Sequence, residues 1–368
     1  MKVVQIINSL ATGGAEKLLL DTIPLYRKAG VEMDVLVFWN NDHQFVTALK
    51  ALDCCKVIVL KQSGNYKDIY SLSHIWKLRK YLKEYDIAHV HLFPAQYFTA
   101  LANIAVGNKC RLIFTEHNTT NTRMNSFVLS RLDRLFYKRY MKIVAITDDV
   151  NRVLKNYLKS TVDKILTIEN GVDLSVAEKA VCVNKESISK GFNSDTKLIV
   201  QVAGFRMQKD QDTLINALSF LPDNFNVLLV GDGERRKSLQ ELVNKLEMNA
   251  RVHFLGVRQD VFSILKVVDY VVVSSHWEGF GLAAVEGMLA GKPVLASEVD
   301  GLSAVVKGAG ILFEKGNAED LSNKLLELDS NSDLYNKVVK AGLKRALQYD
   351  IQNMVDKHIE LYKNIYEA

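Results

Sequence analysis

Short, almost unbroken runs of Val, Ile and Leu recur along the chain, separated by stretches with apolar residues at helical spacing. KVVQIINS (2–9), VEMDVLVFW (31–39), KVIVL (56–60), IAHVHLF (87–93), RLIFTEH (111–117), KIVAIT (142–147) and KILTIEN (164–170) read as strands. A strand that is apolar on both sides must be covered on both faces, the condition of a parallel sheet between layers of helices. AEKLLLDTIPLYRKA (15–29) and SLSHIWKLRKYLKEY (71–85) supply such helices. The rhythm stops at about residue 172, and the polar, mixed residues 173–196 read as a linker with an irregular entry segment. It restarts with KLIVQVAG (197–204), FNVLLVG (225–231), RVHFLG (251–256), DYVVVSS (269–275), PVLAS (293–297) and the GILF that precedes Glu314. Two successive βαβ series predict an α/β protein of two doubly wound, Rossmann-like domains, 1–172 and 173–349. The closing segment 350–368 is helical, with no strand after it.

Several classes are disfavoured by what the chain lacks. No apolar run approaches the ~20 residues of a membrane-spanning helix. The opening MKVVQIINSLATGGAE reads as a first core strand, not a secretory leader, because its apolar stretch is short and runs into a Gly-Gly turn. Cys54, Cys55, Cys110 and Cys182 show no C-x-x-C spacing, which argues against zinc and a disulfide framework and fits a reducing cytoplasm. The adjacent Cys54 and Cys55 are expected to be buried, inert thiols. Residues 1–170 carry 24 Lys and Arg against 15 Asp and Glu, whereas the remainder carries 23 against 27. Only the first half is therefore expected to face an anionic partner.

Ligands of open parallel sheets sit beyond the carboxyl ends of the strands, and the chain's unusual residues fall there. Gly13 and Gly14 follow the first run, His117 ends RLIFTEH, Asn170-Gly171 ends KILTIEN, and Gly204-Phe205-Arg206 ends KLIVQVAG. Gly231-Asp232-Gly233-Glu234 and Glu278 end two more. A cleft between the two sheet edges is the expected active site.

Arg206 and Lys209, three apart between a strand and a helix, suit a diphosphate: a planar fork and a mobile point charge. Taken alone they could equally be a solvated surface pair. Gly13-Gly14 opens a helix whose free N–H groups suit an anion, although Glu16 can already serve as compensation for the helix dipole. Gly231-Asp232-Gly233 lacks the third glycine of a dinucleotide fingerprint and reads as a tight turn admitting ligand or backbone. No nicotinamide or other cofactor is expected. Around the corner Gly279-Phe280-Gly281, Glu278 stands before a helix beginning near Leu282, and Glu286 lies in its second turn. Each carboxylate can accept two hydroxyl hydrogen bonds, so the pair can hold two diols of one ligand. A diphosphate flanked by two diol-bearing rings is a nucleotide-sugar.

WEGFGLAAVE, with its E-x7-E spacing, and the following GKPVLAS resemble the signature of retaining glycosyltransferases of family 4, which have the GT-B fold of two domains facing across a cleft. GGAE (13–16), TEHN (115–118), NGVD (170–173), VAGFRMQKD (202–210) and GDGE (231–234) fall in the family's order. The resemblance implies that Arg206, Lys209 and the backbone of Gly13 and Gly14 grip the donor diphosphate near Gly204. It implies that Glu278 binds donor-sugar hydroxyls beside backbone of Phe280, Gly281 and Leu282, and that Glu286 takes the ribose diol. Val257 and Arg258 would seat the base, His117 would approach the donor sugar near its reacting carbon, and the last helix would cross back to the first domain. Two departures stand out: Asp210 replaces a common glycine, and Ser274 a common proline.

The expected chemistry is a same-face, retaining displacement in which the departing phosphate takes the acceptor proton. Arg206, Lys209 and backbone amides would stabilise the leaving group. No D-x-D motif closes a strand, so no metal is expected, and Asp148-Asp149 read as helix capping. Residues 125–142 carry Arg131, Arg134, Lys138 and Arg139 among Phe127, Phe136, Tyr137 and Tyr140. This stretch predicts contact with an anionic membrane surface bearing a lipid-linked acceptor, or else a half-buried helix with a solvated basic face. The protein is expected to be cytoplasmic, peripheral at the inner face of the membrane, with a saccharide or lipid-linked acceptor and no nucleic-acid partner. The donor is expected to be a uridine diphosphate sugar. Rival readings are a nucleotide-sugar epimerase and a catalytically idle sugar-nucleotide binder.

Overall fold

All thirteen apolar runs contain a strand, in places shorter than the run, as at Lys142–Ala145 and Ile165–Thr167. The computed structural model describes every residue except Thr12, Asn121, Cys182 and Lys190, and the side chains of Thr122 and Asn125. The expectation for Cys182 therefore lies outside the described residues. Two compact units result, residues 1–171 with 351–368, and residues 172–350.

The first unit is built on β1 (Lys2–Ile7), β2 (Glu32–Asn40), β3 (Val57–Gln62), β4 (Ile87–His91), β5 (Arg111–Glu116), β6 (Lys142–Ala145) and β7 (Ile165–Thr167). They pair in parallel in the order β3-β2-β1-β4-β5-β6-β7. Winding outward from β1 to β3 and then back across to β4 puts the topological switch point between β1 and β4. There Asn8 bridges the two strand ends, donating to Phe93 O at 2.7 Å and accepting from Ala95 N at 3.0 Å. The closing helix Ile351–Glu367 buries Met354, Val355, His358, Leu361 and Tyr362 in this unit.

The second unit uses β8 (Lys197–Val202), β9 (Phe225–Val230), β10 (Val252–Gly256), β11 (Tyr270–Val273), β12 (Val294–Ser297) and β13 (Ile311–Phe313). Their order, β10-β9-β8-β11-β12-β13, is again wholly parallel, with the switch point between β8 and β11. Ile199, Val227, Leu229, Val272 and Leu295 meet Leu214, Leu218, Leu321 and Leu325 of the flanking helices in one core. The segment 173–196 contains two single-turn helices, Val176–Lys179 and Lys185–Ile188.

Of the described thiols, Cys110 is buried, while Cys54 and Cys55 are only half-buried. Burial and the neighbouring Cys54 push the Cys55 thiol up to about 12, which disfavours its thiolate. Asp148 and Asp149 are not the cap of their helix. Thr147 holds that position and accepts from Val150 N at 3.2 Å, leaving the two acids in the first turn, where they complement the dipole.

Candidate active site

The switch point of the second unit brings the loops after β8 and β11 together. Phe205 turns fully into the core, which anchors the corner and leaves the next side chain, Arg206, exposed. One 3-10 turn, Met207–Lys209, leads to Asp210 in the left-handed conformation (φ 45°, ψ 52°). Asp210 tolerates this because its carboxylate caps the helix Gln211–Ala217, accepting from Thr213 N at 3.4 Å and Thr213 Oγ1 at 2.6 Å. Burial raises the Asp210 carboxyl above its ordinary value. From β11, Ser274 Oγ donates to Asp210 O at 2.7 Å, and Gln201 Nε2 donates to Lys209 O at 2.6 Å. Both departures from the family pattern are thus answered locally: the acid brings its own cap and the serine adds a tether.

Two contacts lace the loops, the backbone His276 N donating to Gln208 O at 2.8 Å and the Gln208 side chain donating from Nε2 to Trp277 O at 2.9 Å. The Lys209 ammonium forms an ion pair with Glu278 Oε1, and Ser275 Oγ donates to the same oxygen at 3.0 Å. Glu278 is 8% exposed, so its charge is held by defined partners instead of by bulk water. Its backbone is pinned from behind. A Cβ on Gly301 (φ 76°) would lie 2.5 Å from Glu278 O and 2.7 Å from Gly279 O, so the helix Leu302–Val306 can start there only with glycine.

Phe280 is buried edge-on against Tyr349 at 4.9 Å, leaving only its backbone available to a ligand. Gly281 (φ 91°) is the N-cap of the helix Leu282–Leu289, which receives no side-chain cap, and Glu286 sits half-buried in its second turn. The Gly231-Asp232-Gly233 turn admits backbone: a Cβ on Gly233 would come within 2.6 Å of Phe205 O, and Phe205 N donates to Asp232 O at 3.0 Å. A Cβ on Gly204 would meet only Asp232 O at 3.7 Å and Arg206 Nε at 3.8 Å, ordinary contact distances. Beyond β10, Val257 is 38% exposed, and Arg258 engages Asp260 with both Nε (2.8 Å) and Nη2 (2.6 Å). A fork already occupied this way suits the rim of an uncharged ring better than a phosphate.

In the first unit, Gly13 is extended at the N-cap of the helix Gly14–Lys28, and the Glu16 carboxylate folds back against it. That helix end therefore already has an anion beside it. His117 lies past β5, half-buried, with Nε2 3.0 Å from His91 Nδ1. His91 Nε2 lies 2.7 Å from Gln5 Oε1, and Gln5 Nε2 donates to Tyr362 OH at 3.0 Å. His89 joins Tyr362 OH at 2.6 Å and Thr115 Oγ1 at 2.6 Å, while Tyr26 OH meets His358 Nδ1 at 2.8 Å. Burial holds His89 and His91 well below the usual imidazole range, His117 at about 4 and His358 at about 3.

Sequence reasoning passed over Gln5, His89 and His91. The available signal was a set of polar side chains inside strands that are otherwise apolar, His89 and His91 sharing one face of β4 by their spacing of two. It also passed over Trp39, Tyr66, Tyr70 and Phe93, whose rings run in steps of 5.8, 6.4 and 6.3 Å along the carboxyl ends of β2, β3 and β4. Among the described residues no group of three or more His, Cys, Asp or Glu could hold a metal ion.

The helix Phe127–Tyr137 differs from expectation in which rings it shows. Phe136, Tyr137 and Tyr140 are buried; Tyr137 OH donates to Glu116 Oε2 at 2.5 Å, and Tyr140 OH to Gln96 O at 2.6 Å. The outward face instead carries Phe127, Val128, Leu129, Leu132 and Leu135 beside the exposed Arg131, Arg134, Lys138 and Arg139. No described helix is long and apolar enough to cross a membrane.

Residues 12–176 match the family model described as Glycosyltransferase Family 4, and residues 183–345 that of Glycosyl transferases group 1. An uncharacterized glycosyltransferase of Methanocaldococcus jannaschii is 35% identical over 195 residues, a stretch covering 50% of this chain and 54% of that relative. The UDP-Gal:alpha-D-GlcNAc-diphosphoundecaprenol alpha-1,3-galactosyltransferase of Escherichia coli is 26% identical over 80% of this chain and 79% of its own. Among solved structures, Anabaena Alr3699/HepE in complex with UDP and glucose shares the fold with a TM-score of 0.85, at 24% identity over 99% of each chain.

Proposed function

The chain belongs to the group 1 and family 4 glycosyltransferases of GT-B fold, and on that footing we propose that it moves a sugar from a UDP-sugar to a saccharide or lipid-linked saccharide acceptor, with retention of configuration. The observation that carries the reading is the Lys209–Glu278 pair at a switch point, with the exposed Arg206 on the same loop. An ammonium has three protons and spends one on Glu278, so Lys209 can keep that carboxylate oriented toward sugar hydroxyls while donating to phosphate. Arg206 adds charge where the leaving nucleoside diphosphate becomes more anionic, a contribution of several kcal/mol when such donors are preorganised. Glu286 takes the ribose diol, and Val257 with Arg258 seats the base.

Because Glu278 is engaged by Lys209 and Ser275, it serves as a hydroxyl acceptor and not as a nucleophile, and the departing phosphate takes the acceptor proton. The reaction needs no metal in this scheme. The ring row Trp39, Tyr66, Tyr70 and Phe93 offers apolar faces to an acceptor. Similarity to an enzyme whose name specifies a diphosphoundecaprenol-linked acceptor supports the lipid-linked form, as does the apolar and basic face of Phe127–Tyr137, which would lie on the cytoplasmic membrane surface. An epimerase reading draws no support from either family model or from these relatives.

The test is a thermal-shift screen of nucleotide-sugars, in which a ligand at 100 times its Kd adds about 2.7 kcal/mol. A UDP-sugar should give the largest shift, and Lys209→Ala should abolish it. An undiminished shift in that variant removes the diphosphate assignment.

A further inference from the structure

We propose that Tyr66, Tyr70 and Phe93 form a stacking surface for a saccharide chain, with Gln62 and Asp42 as hydroxyl partners at one end. The acceptor is then an oligosaccharide and not a single sugar. The inference rests on the transferase reading above and goes beyond it by naming the kind and length of acceptor. The surface lies wholly within the first unit, at the carboxyl ends of β2, β3 and β4, the ligand edge of a parallel sheet. Tyr66 is 60% exposed, Tyr70 48% and Phe93 38%. Large rings left in water call for an explanation when the backbone beneath them is fixed. The 3-10 helix Tyr66–Tyr70 is braced on several sides. Asn65 caps it, accepting from Lys67 N at 3.1 Å, and Ile69 is buried beneath it. Asp68 accepts from Lys61 Nζ at 2.7 Å and from Ser63 Oγ, while His74 Nε2 lies 2.8 Å from Asp68 O. Trp39, itself buried, backs Tyr66 at 5.8 Å and donates from Nε1 to Ser63 O at 2.7 Å. Phe93 is backed by Tyr97 edge-on at 5.1 Å and by the Arg123 guanidinium 4.5 Å from its ring centre. Rings on a braced backbone lose little conformational entropy when a ligand stacks on them.

Aromatic faces accept the C–H side of a sugar ring as readily as a hydrocarbon, so the polar neighbours decide between them. Asn40 Oδ1 accepts from His43 N at 3.1 Å, which fixes its amide and aims Nδ2 at Gln62 Oε1, 2.9 Å away. Gln62 Nε2 in turn donates to Asp42 Oδ1 at 2.9 Å. Gln62 and Asp42 are both exposed, which leaves the amide one N–H and one lone pair and the carboxylate its second oxygen. A donor and acceptors side by side match sugar hydroxyls, whereas a lipid chain covering them would bury both groups without partners. The ring centres step 6.4 Å from Tyr66 to Tyr70 and 6.3 Å on to Phe93, so the surface spans more than one sugar ring.

A microarray of microbial oligosaccharides and their component monosaccharides, probed with the full-length protein, tests this. Binding to oligosaccharides and not to monosaccharides is expected. Tyr66→Ala and Tyr70→Ala should each weaken it about tenfold at an unchanged melting temperature, since both rings are exposed. Tyr66→Phe keeps the ring and should retain binding, and Gln62→Ala should weaken it. No glycan bound, monosaccharides bound as tightly as oligosaccharides, or alanine variants that bind as wild type would each overturn the proposal. So would binding of undecaprenyl phosphate in detergent micelles that the alanine variants lose while no glycan binds, because the surface would then hold lipid. The nucleotide-sugar thermal shift of the wild type reports the donor reading separately: glycan binding without any such shift sinks that reading alone.

Discussion

Asp210 shows how a single side chain can carry both a backbone conformation and a helix end. Its left-handed dihedrals cost an ordinary residue about 1–2 kcal/mol, and loss of a cap costs about 1 more. Asp210→Ala should therefore destabilise the second unit by about 2 kcal/mol in denaturant melts, whereas Asp210→Gly, freed of the steric term, should cost less than about 1. Equal losses for both would show that the conformation is not the issue. A neighbouring prediction concerns the ion pair. Glu278→Gln keeps the shape but removes the charge that orients Lys209, so turnover should fall about 100-fold or more with little change in melting temperature. Unchanged turnover would dismiss Glu278 from the reaction. Gly301→Ala should be worse for stability than either, because its Cβ meets the backbone of Glu278 and Gly279, which cannot swing aside.

Among the elements, the helix Phe127–Tyr137 presents two faces of different character. Ser130, Asp133, Phe136 and Tyr137 point inward, and Asp133 is held by Arg123 at 3.0 Å, Tyr97 at 2.8 Å and Tyr157 at 3.0 Å. The face left outside pairs aliphatic side chains with arginines, the composition that settles into an anionic lipid interface. Liposome flotation should recover the protein with anionic vesicles and much less with neutral ones. Leu132→Glu with Leu135→Glu should abolish recovery while Arg131→Ala only weakens it. Equal recovery from both kinds of vesicle would leave the face a solvated one. The exposed helix was legible in the sequence as a basic, aromatic stretch. Its inward side was not, because aromatic residues at helical spacing serve a core and an interface equally well.

Across the whole molecule, the first unit depends on histidines contributed by β4 and the closing helix. His89, His91 and His358 titrate below the 6.5 of an exposed imidazole, so at mildly acid pH the unfolded chain binds protons that the native one refuses. Their stabilisation is complete above pH 6.5 and is lost as pH falls below it, by about 1.4 kcal/mol per pH unit for each group. The buried Glu116 carboxyl, raised above its ordinary 4.5, offsets part of this nearer pH 5. Chemical denaturation at pH 7.5 and 5.5 should show the first unit markedly weaker at the lower value, and a flat profile would contradict the burial of these rings.

Strand positions and the placing of the motif residues at strand ends were readable from the chain alone, since periodicity and glycine placement are local properties. Arg206, Lys209 and Glu278 stood out in the sequence for the same reason: loops at the carboxyl ends of parallel strands gather polar residues that no core would keep. The contact of Lys209 with Glu278, and the passage from Gln5 through His91 to His117, were decided only by tertiary structure. Those partners come from separate strands and loops, and which polar atoms meet depends on strand order and packing. A hydrophobic pattern constrains which side of a strand is buried, but it carries no information about which neighbour will share that burial.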